Sequence, residues 1–152
     1  MPTLERSSKK LQVVQTAIQL FTTHGFHNAG VDLIIKKSKI QKATFYNYFH
    51  SKERLVEMCL IFQKSRLKED VLVVVYSHRY PSAADKLKEI VRLHVDVSSF
   101  YHLLFKAIFE IEKLYPAAYT VVSDYRKWFI NEIYKLLLTV KVTATVEDAY
   151  MF

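Results

Sequence analysis

The chain has 152 residues, 51% hydrophobic and 24% charged, with two Gly, three Pro and a net charge of +7. Such a composition excludes a disordered or collagen-like chain, and so few turn formers exclude a β-sandwich or barrel, which turns about every 8–12 residues. The longest apolar run, Val71 to Tyr76, falls far short of the ~20 residues a membrane span needs, the opening MPTLERSSKK lacks the apolar core of a signal peptide, and the single cysteine, Cys59, has no internal partner. A cytoplasmic, all-α protein is expected.

Ser7 or Ser8 is read as the cap of a first helix reaching Thr23, with Leu11, Val14, Ala17, Ile18 and Phe21 at helical spacing. His24-Gly25 should stop it, since Gly suits a left-handed C-terminal position. A second helix is expected over Val31 to Lys37 and a third over Gln41 to Phe49, with Ser38-Lys39-Ile40 as a tight turn between them. Ser51 can cap a long helix from Lys52 that carries Leu55, Met58, Cys59, Phe62 and Leu67. Val71 to Tyr76 is rich in β-branched residues, yet no comparable strand exists to pair with it, and an isolated strand leaves its backbone unsatisfied. It is read as the end of the long helix or a buried connection.

After the break at Pro81-Ser82, helices are expected over Ala83 to Ser98, Phe100 to Leu114, and Pro116 to about Val140. Pro116 suits a first helical turn. Thr145-Val146-Glu147-Asp148 has the pattern of a helix start, but the sequence ends at Phe152. A helix abandoned after one turn has little reason to form, so the sequence looks cut short.

Charge is uneven along the chain. Residues 1–54 hold nine Lys/Arg against three acids, a net of +6, while residues 55–152 hold 13 against 12. The pattern suggests a basic module that meets a polyanion beside a neutral module. On charge alone, a solvated basic face, a membrane surface and nucleic acid all fit.

Two short helices joined by a tight turn describe a helix-turn-helix, whose second helix enters the DNA major groove. The candidate reading helix carries Gln41, Lys42, Thr44, Tyr46, Asn47 and Tyr48, side chains able to reach phosphates or base edges. Phe45 and Phe49, four apart, should pack inward. The bland alternative is a short amphipathic helix on a bundle surface; the charge asymmetry decides for DNA.

His24-Gly25-Phe26, Val31-Asp32-Leu33-Ile34 and the gapless run from Ile40 to Leu55, IQKATFYNYFHSKERL, resemble the amino-terminal DNA-binding domain of TetR/AcrR-type transcriptional regulators. The resemblance implies a DNA-binding domain over residues 1–54, joined by a long helix to a helical ligand-binding and dimerisation bundle over residues 55–152. It implies a homodimer on a palindromic operator, usually a repressor, released by a small, largely apolar ligand. Position by position, Lys42, Thr44, Tyr46, Asn47, Tyr48 and Lys52 match the family's DNA contacts, and Gln41 stands where the family often has Ser. Lys39 replaces the family's usual turn Gly, Gly30 its capping Thr, and Ile35 a small Ala. Family members are usually longer, and their last two helices form the dimer interface, so C-terminal helices are expected to be missing here.

Residues 100–134 hold ten aromatics. Aromatics at helical spacing usually form core, and that reading is strong for Phe105 and Phe109. The resemblance raises a pocket reading, with Tyr101, Phe105, Tyr119, Tyr125 and Trp128 as ligand-binding candidates. His94 and His102 lack the partners of a metal site and are read as core or half-exposed histidines. Cys59 is read as a packing residue. Glu110 and Glu112 point to different faces and make no catalytic pair. No enzyme, metal or cofactor is expected. The rival reading is a helical interaction protein that docks on a protein partner or an anionic membrane.

Overall fold

In a computed structural model of the chain, residues 2–95, 106–107, 110–139 and 145–151 are described. Among them the structure has seven helices: α1 (Pro2–His24), α2 (Val31–Ser38), α3 (Lys42–Phe49), α4 (Lys52–Tyr76), α5 (Ala83–Val95), α6 (Pro116–Leu138) and α7 (Val146–Met151). No strand occurs among the described residues. No helix there is long and apolar enough to cross a membrane.

Most boundaries follow from local chemistry. α1 begins earlier than expected, at Pro2 rather than at Ser7 or Ser8; Pro is tolerated in a first turn, and Leu-Glu-Arg are good helix formers. Gly25 ends it at φ +86°, its N–H bonded to the Phe21 carbonyl at 2.9 Å. Ser51 caps α4, its Oγ accepting the Arg54 N–H at 3.2 Å. The ambiguous run Val71 to Tyr76 is the last part of α4, with Val71 and Val74 buried. Ser82 caps α5 by accepting the Asp85 N–H at 3.2 Å, and Pro116 opens α6. Of the helix expected over Phe100 to Leu114, residues 106, 107 and 110 are helical; Phe100, Tyr101, His102, Phe105 and Phe109 lie outside the described residues.

α7 forms although its first turn was expected to be abandoned. Thr145 Oγ1 accepts the Asp148 N–H at 3.3 Å while Asp148 Oδ2 accepts the Thr145 N–H at 2.8 Å, a reciprocal capping box. Ala149 is buried against Ile133 and Leu136 of α6. Packing on α6 supplies what one isolated turn lacks.

Two apolar clusters hold the fold. The larger joins Val13, Ala17 and Phe21 of α1, Ile34 of α2, Phe45 and Phe49 of α3 and Leu55, Val56, Cys59 and Leu60 of α4 to Val122 and Tyr125 of α6. The core of the first three helices therefore continues past residue 54 into α4. Cys59 is fully buried with Sγ 3.7 Å from the Val14 carbonyl oxygen, and burial pushes its thiol well above the ordinary range. It is the packing residue expected. The smaller cluster gathers Val74, Ile90, Ile130 and Ile133 at the far end of α4.

Candidate nucleic-acid interface

The turn between α2 and α3 sets the angle between the two helices. Lys39 sits in the left-handed region at φ 55°, ψ 43°. Its N–H bonds to the Lys36 carbonyl at 3.3 Å, and the Ile40 N–H reaches the Ile35 carbonyl at 3.4 Å. This is the Schellman pattern, with Ile35 and Ile40 both half-buried against the core beside it. A side chain in this conformation costs about 1–2 kcal/mol relative to glycine. The turn geometry that normally selects Gly is thus retained with Lys in place. Gly30 is the N-cap of α2, with no side-chain cap bond.

Gln41 caps α3 through its backbone, in extended conformation, its carbonyl accepting the Phe45 N–H at 3.1 Å. Phe45 is 0% exposed and Phe49 1%. Their ring centroids lie 5.3 Å apart, and Lys10 of α1 reaches over the Phe49 ring at 5.8 Å. These two rings anchor α3 from behind. Its other edge carries Gln41, Lys42 and Asn47, all exposed, Thr44, half-buried, and Tyr46, 40% exposed. The Tyr46 ring stands edge-on to Phe45 at 5.3 Å, which braces an otherwise outward-facing side chain.

Tyr48 departs from the expectation. It is buried, edge-on to Phe49 with centroids 5.9 Å apart. Three positions after Phe45, it shares the inward face of the helix. Its ring serves packing rather than the outward edge. Lys52 is half-buried at the start of α4, and its Nζ donates to the His27 carbonyl at 3.4 Å. Burial lowers its pKa from the ordinary lysine value. The contact ties the α1–α2 loop to α4 and fixes this ammonium near the end of the reading helix. Lys36, Lys37 and Lys39 add exposed charge before α3.

A clasp that sequence reading missed joins this domain to the second half of the chain. Glu110 Oε2 accepts the Phe26 N–H at 3.3 Å, and Lys106 Nζ donates to the Thr22 carbonyl at 3.4 Å. Lys106 and Glu110 also pair at 3.7 Å. A cleft of about 330 Å³ beside the clasp is lined by His24, His27, Asn28 and Leu114 among others.

Of the expected aromatic pocket, Tyr119, Tyr125 and Trp128 are described, and all three pack in or against the core. Tyr125 is buried, its hydroxyl 2.6 Å from His94 Nε2, and it stacks on Phe129 with centroids 6.0 Å apart. So held, its ring packs in the core between α5 and α6. Tyr119 and Trp128 are half-buried against the same core, and Lys68 covers the Trp128 ring at 4.8 Å. Tyr101 and Phe105 lie outside the described residues. A cleft of about 350 Å³ instead opens between the end of α4, the start of α5 and α6, walled by Val75, Tyr76, Tyr80, Lys86, Glu132 and Leu136 among others. Glu132 is buried there; Oε1 accepts from Lys135 at 3.2 Å, and Oε2 has no partner among the described residues. Among the described residues no group of three or more His, Cys, Asp or Glu could hold a metal ion.

Residues 13–59 match the family described as bacterial regulatory proteins, tetR family. The biofilm operon icaADBC HTH-type negative transcriptional regulator IcaR of Staphylococcus aureus is 26% identical over 130 residues, 82% of this chain and 59% of that protein. The chain thus spans about three fifths of the length of that curated relative. The HTH-type transcriptional regulator YuxN of Bacillus subtilis is 42% identical over 48 residues, 32% of this chain and 16% of that one. Among solved structures, reduced NemR of E. coli superposes with a TM-score of 0.81 at 16% identity, covering 95% of this chain and 80% of that chain. A TetR/AcrR family regulator superposes with a TM-score of 0.72 at 25% identity, covering 86% and 69%.

Proposed function

We propose that this chain, whose residues 13–59 match the tetR family of bacterial regulatory proteins, is a cytoplasmic transcriptional regulator that binds duplex DNA through α3. The observation that carries the reading is the two-sidedness of α3. Phe45 and Phe49 are buried behind it, while Gln41, Lys42, Tyr46 and Asn47 stand exposed in front.

Each exposed group has a use in a major groove. Asn47 and Gln41 can pair bidentately with adenine, and the methyl of half-buried Thr44 suits that of thymine. Lys42 reaches a phosphate or a guanine edge, and Tyr46 offers a hydroxyl. Lys52, held beside His27, adds phosphate contact at the start of α4. The excess of positive charge in residues 1–54 supplies the salt-dependent part of binding through released counterions.

The chain acts as a repressor, as its negatively regulating relative in Staphylococcus aureus suggests. It works as a homodimer on a palindromic operator with half-sites about one helical turn or a multiple apart. A small, largely apolar effector releases it. The cleft between α4, α5 and α6 has the size and mostly apolar wall such a ligand needs. The test is selection of duplexes from a random pool by the purified chain, followed by titration at several salt concentrations. Recovery of a two-fold-symmetric sequence with steep salt dependence supports the reading; failure to bind any duplex refutes it.

A further inference from the structure

Among the described residues the non-glycine positions with positive φ are Lys39, at 55°, and His50, at 66°. They bracket the reading helix. Lys39 precedes Lys42, the first residue of α3, by three positions, and His50 directly follows Phe49, the last. At the end of α1 the chain solves the same backbone problem with Gly25. At Lys39 and His50 it keeps a side chain where glycine would be free of strain. Strained positions of this kind cluster at functional sites.

The two share a chemistry. Both are exposed, and both carry N–H donors that suit a phosphate oxygen. Neither lies on the edge of α3 that faces the bases. An eight-residue helix is about 12 Å long, and the DNA major groove is also about 12 Å wide. A helix of this length fits within the groove, so donors just beyond its two ends are within reach of the flanking phosphates while its middle meets the bases.

We propose that Lys39 and His50 are DNA-backbone contacts that clamp the two ends of α3 in the groove. This rests on the reading of α3 as a DNA-reading helix. The positive φ at each position turns the chain out of the helix line, and the side chain there is placed to reach the phosphates.

The experiment compares Lys39→Gly, His50→Gly and Lys39→Gln with the unaltered chain. The probe is a fluorescent duplex that the unaltered chain selects from a random pool, followed by anisotropy at several salt concentrations. Glycine relieves the strain, so both glycine variants should melt at higher temperature than the unaltered chain, yet bind DNA more weakly. Loss of the Lys39 contact should weaken binding about fivefold near physiological salt and reduce the salt slope by about 1. Lys39→Gln should match that loss without the gain in melting temperature. Wild-type affinity and slope in all three variants would overturn the clamp while leaving α3 as the reading helix. If the unaltered chain selects no duplex, the regulator reading itself fails, and the clamp with it.

Discussion

Glu110 accepts the backbone N–H of Phe26 at 3.3 Å, across 84 residues of sequence. The bond is made at the one place where α1 ends and the α2–α3 unit begins. Gly25, immediately before, takes φ +86°, and a Cβ there would lie 3.5 Å from the same carboxylate oxygen. The second half of the chain thus grips the backbone just around the end of α1. Lys106 holds the Thr22 carbonyl beside it.

Removing the carboxylate should loosen that grip. Glu110→Ala should cost about 1 kcal/mol, given a charged acceptor in a half-exposed setting. Amide exchange at Phe26 should quicken by more than the global loss of stability accounts for, because the bond is local. Glu110→Gln keeps an acceptor and should retain most of the protection. Unchanged exchange at Phe26 in Glu110→Ala would show that the bond does not protect this amide.

The two faces of α3 should separate cleanly by mutation. Tyr46→Ala and Lys42→Ala remove exposed groups and should leave the melting temperature nearly unchanged while weakening DNA binding. Phe45→Ala empties a fully buried site and should cost about 3–5 kcal/mol. Its DNA binding should be lost through unfolding. Circular dichroism melts and DNA titrations on the same samples distinguish the two. Unaltered affinity in both Tyr46→Ala and Lys42→Ala would count against α3 as the reading helix.

Local chemistry made much of this legible in the sequence. Gly25, Ser51 and Pro116 mark real helix boundaries because each acts through its own backbone or side chain. The inward pair Phe45 and Phe49 followed from helical period alone. Tyr48 was misplaced because residue type suggested a hydrogen-bonding role, while its spacing from Phe45 put it inside. Tyr125 has a partner that residue type does not reveal. Its hydroxyl suggested a ligand, and only the fold reveals that His94, 31 residues away, already takes it. The Glu110 clasp was illegible because it joins a side chain to a backbone amide far along the chain, and periodicity carries no trace of such a contact.

The His94 site predicts a pH dependence of stability. Its Nδ1 donates to the Ile90 carbonyl oxygen at 2.7 Å, which leaves Nε2 to accept from the Tyr125 hydroxyl. Burial lowers the imidazole pKa from its ordinary 6.5, against a smaller opposing effect of the Ile90 bond. The folded chain therefore holds this proton more weakly than the unfolded chain. Stability from His94 is complete above 6.5 and drains away as the pH falls toward the folded value. Urea midpoints should drop on acidification through that window, and His94→Gln should remove this part of the drop. An identical pH profile in the variant would show that another group governs it.

Glu132 should prove a liability for stability. It is 5% exposed, with Oε1 paired to Lys135 and Oε2 unpartnered among the described residues. Lys135 itself is largely exposed, so it keeps its hydration if the carboxylate is removed. A buried polar atom without a partner costs about 1–3 kcal/mol, and apolar replacement of a buried charge is often stabilising. Ile133 and Leu136 flank the position with apolar surface. Glu132→Met should therefore raise the unfolding free energy by about 1 kcal/mol, measured by urea titration. An equal or lower midpoint would mean that Oε2 is already satisfied in solution, by water entering from the cleft that Glu132 lines.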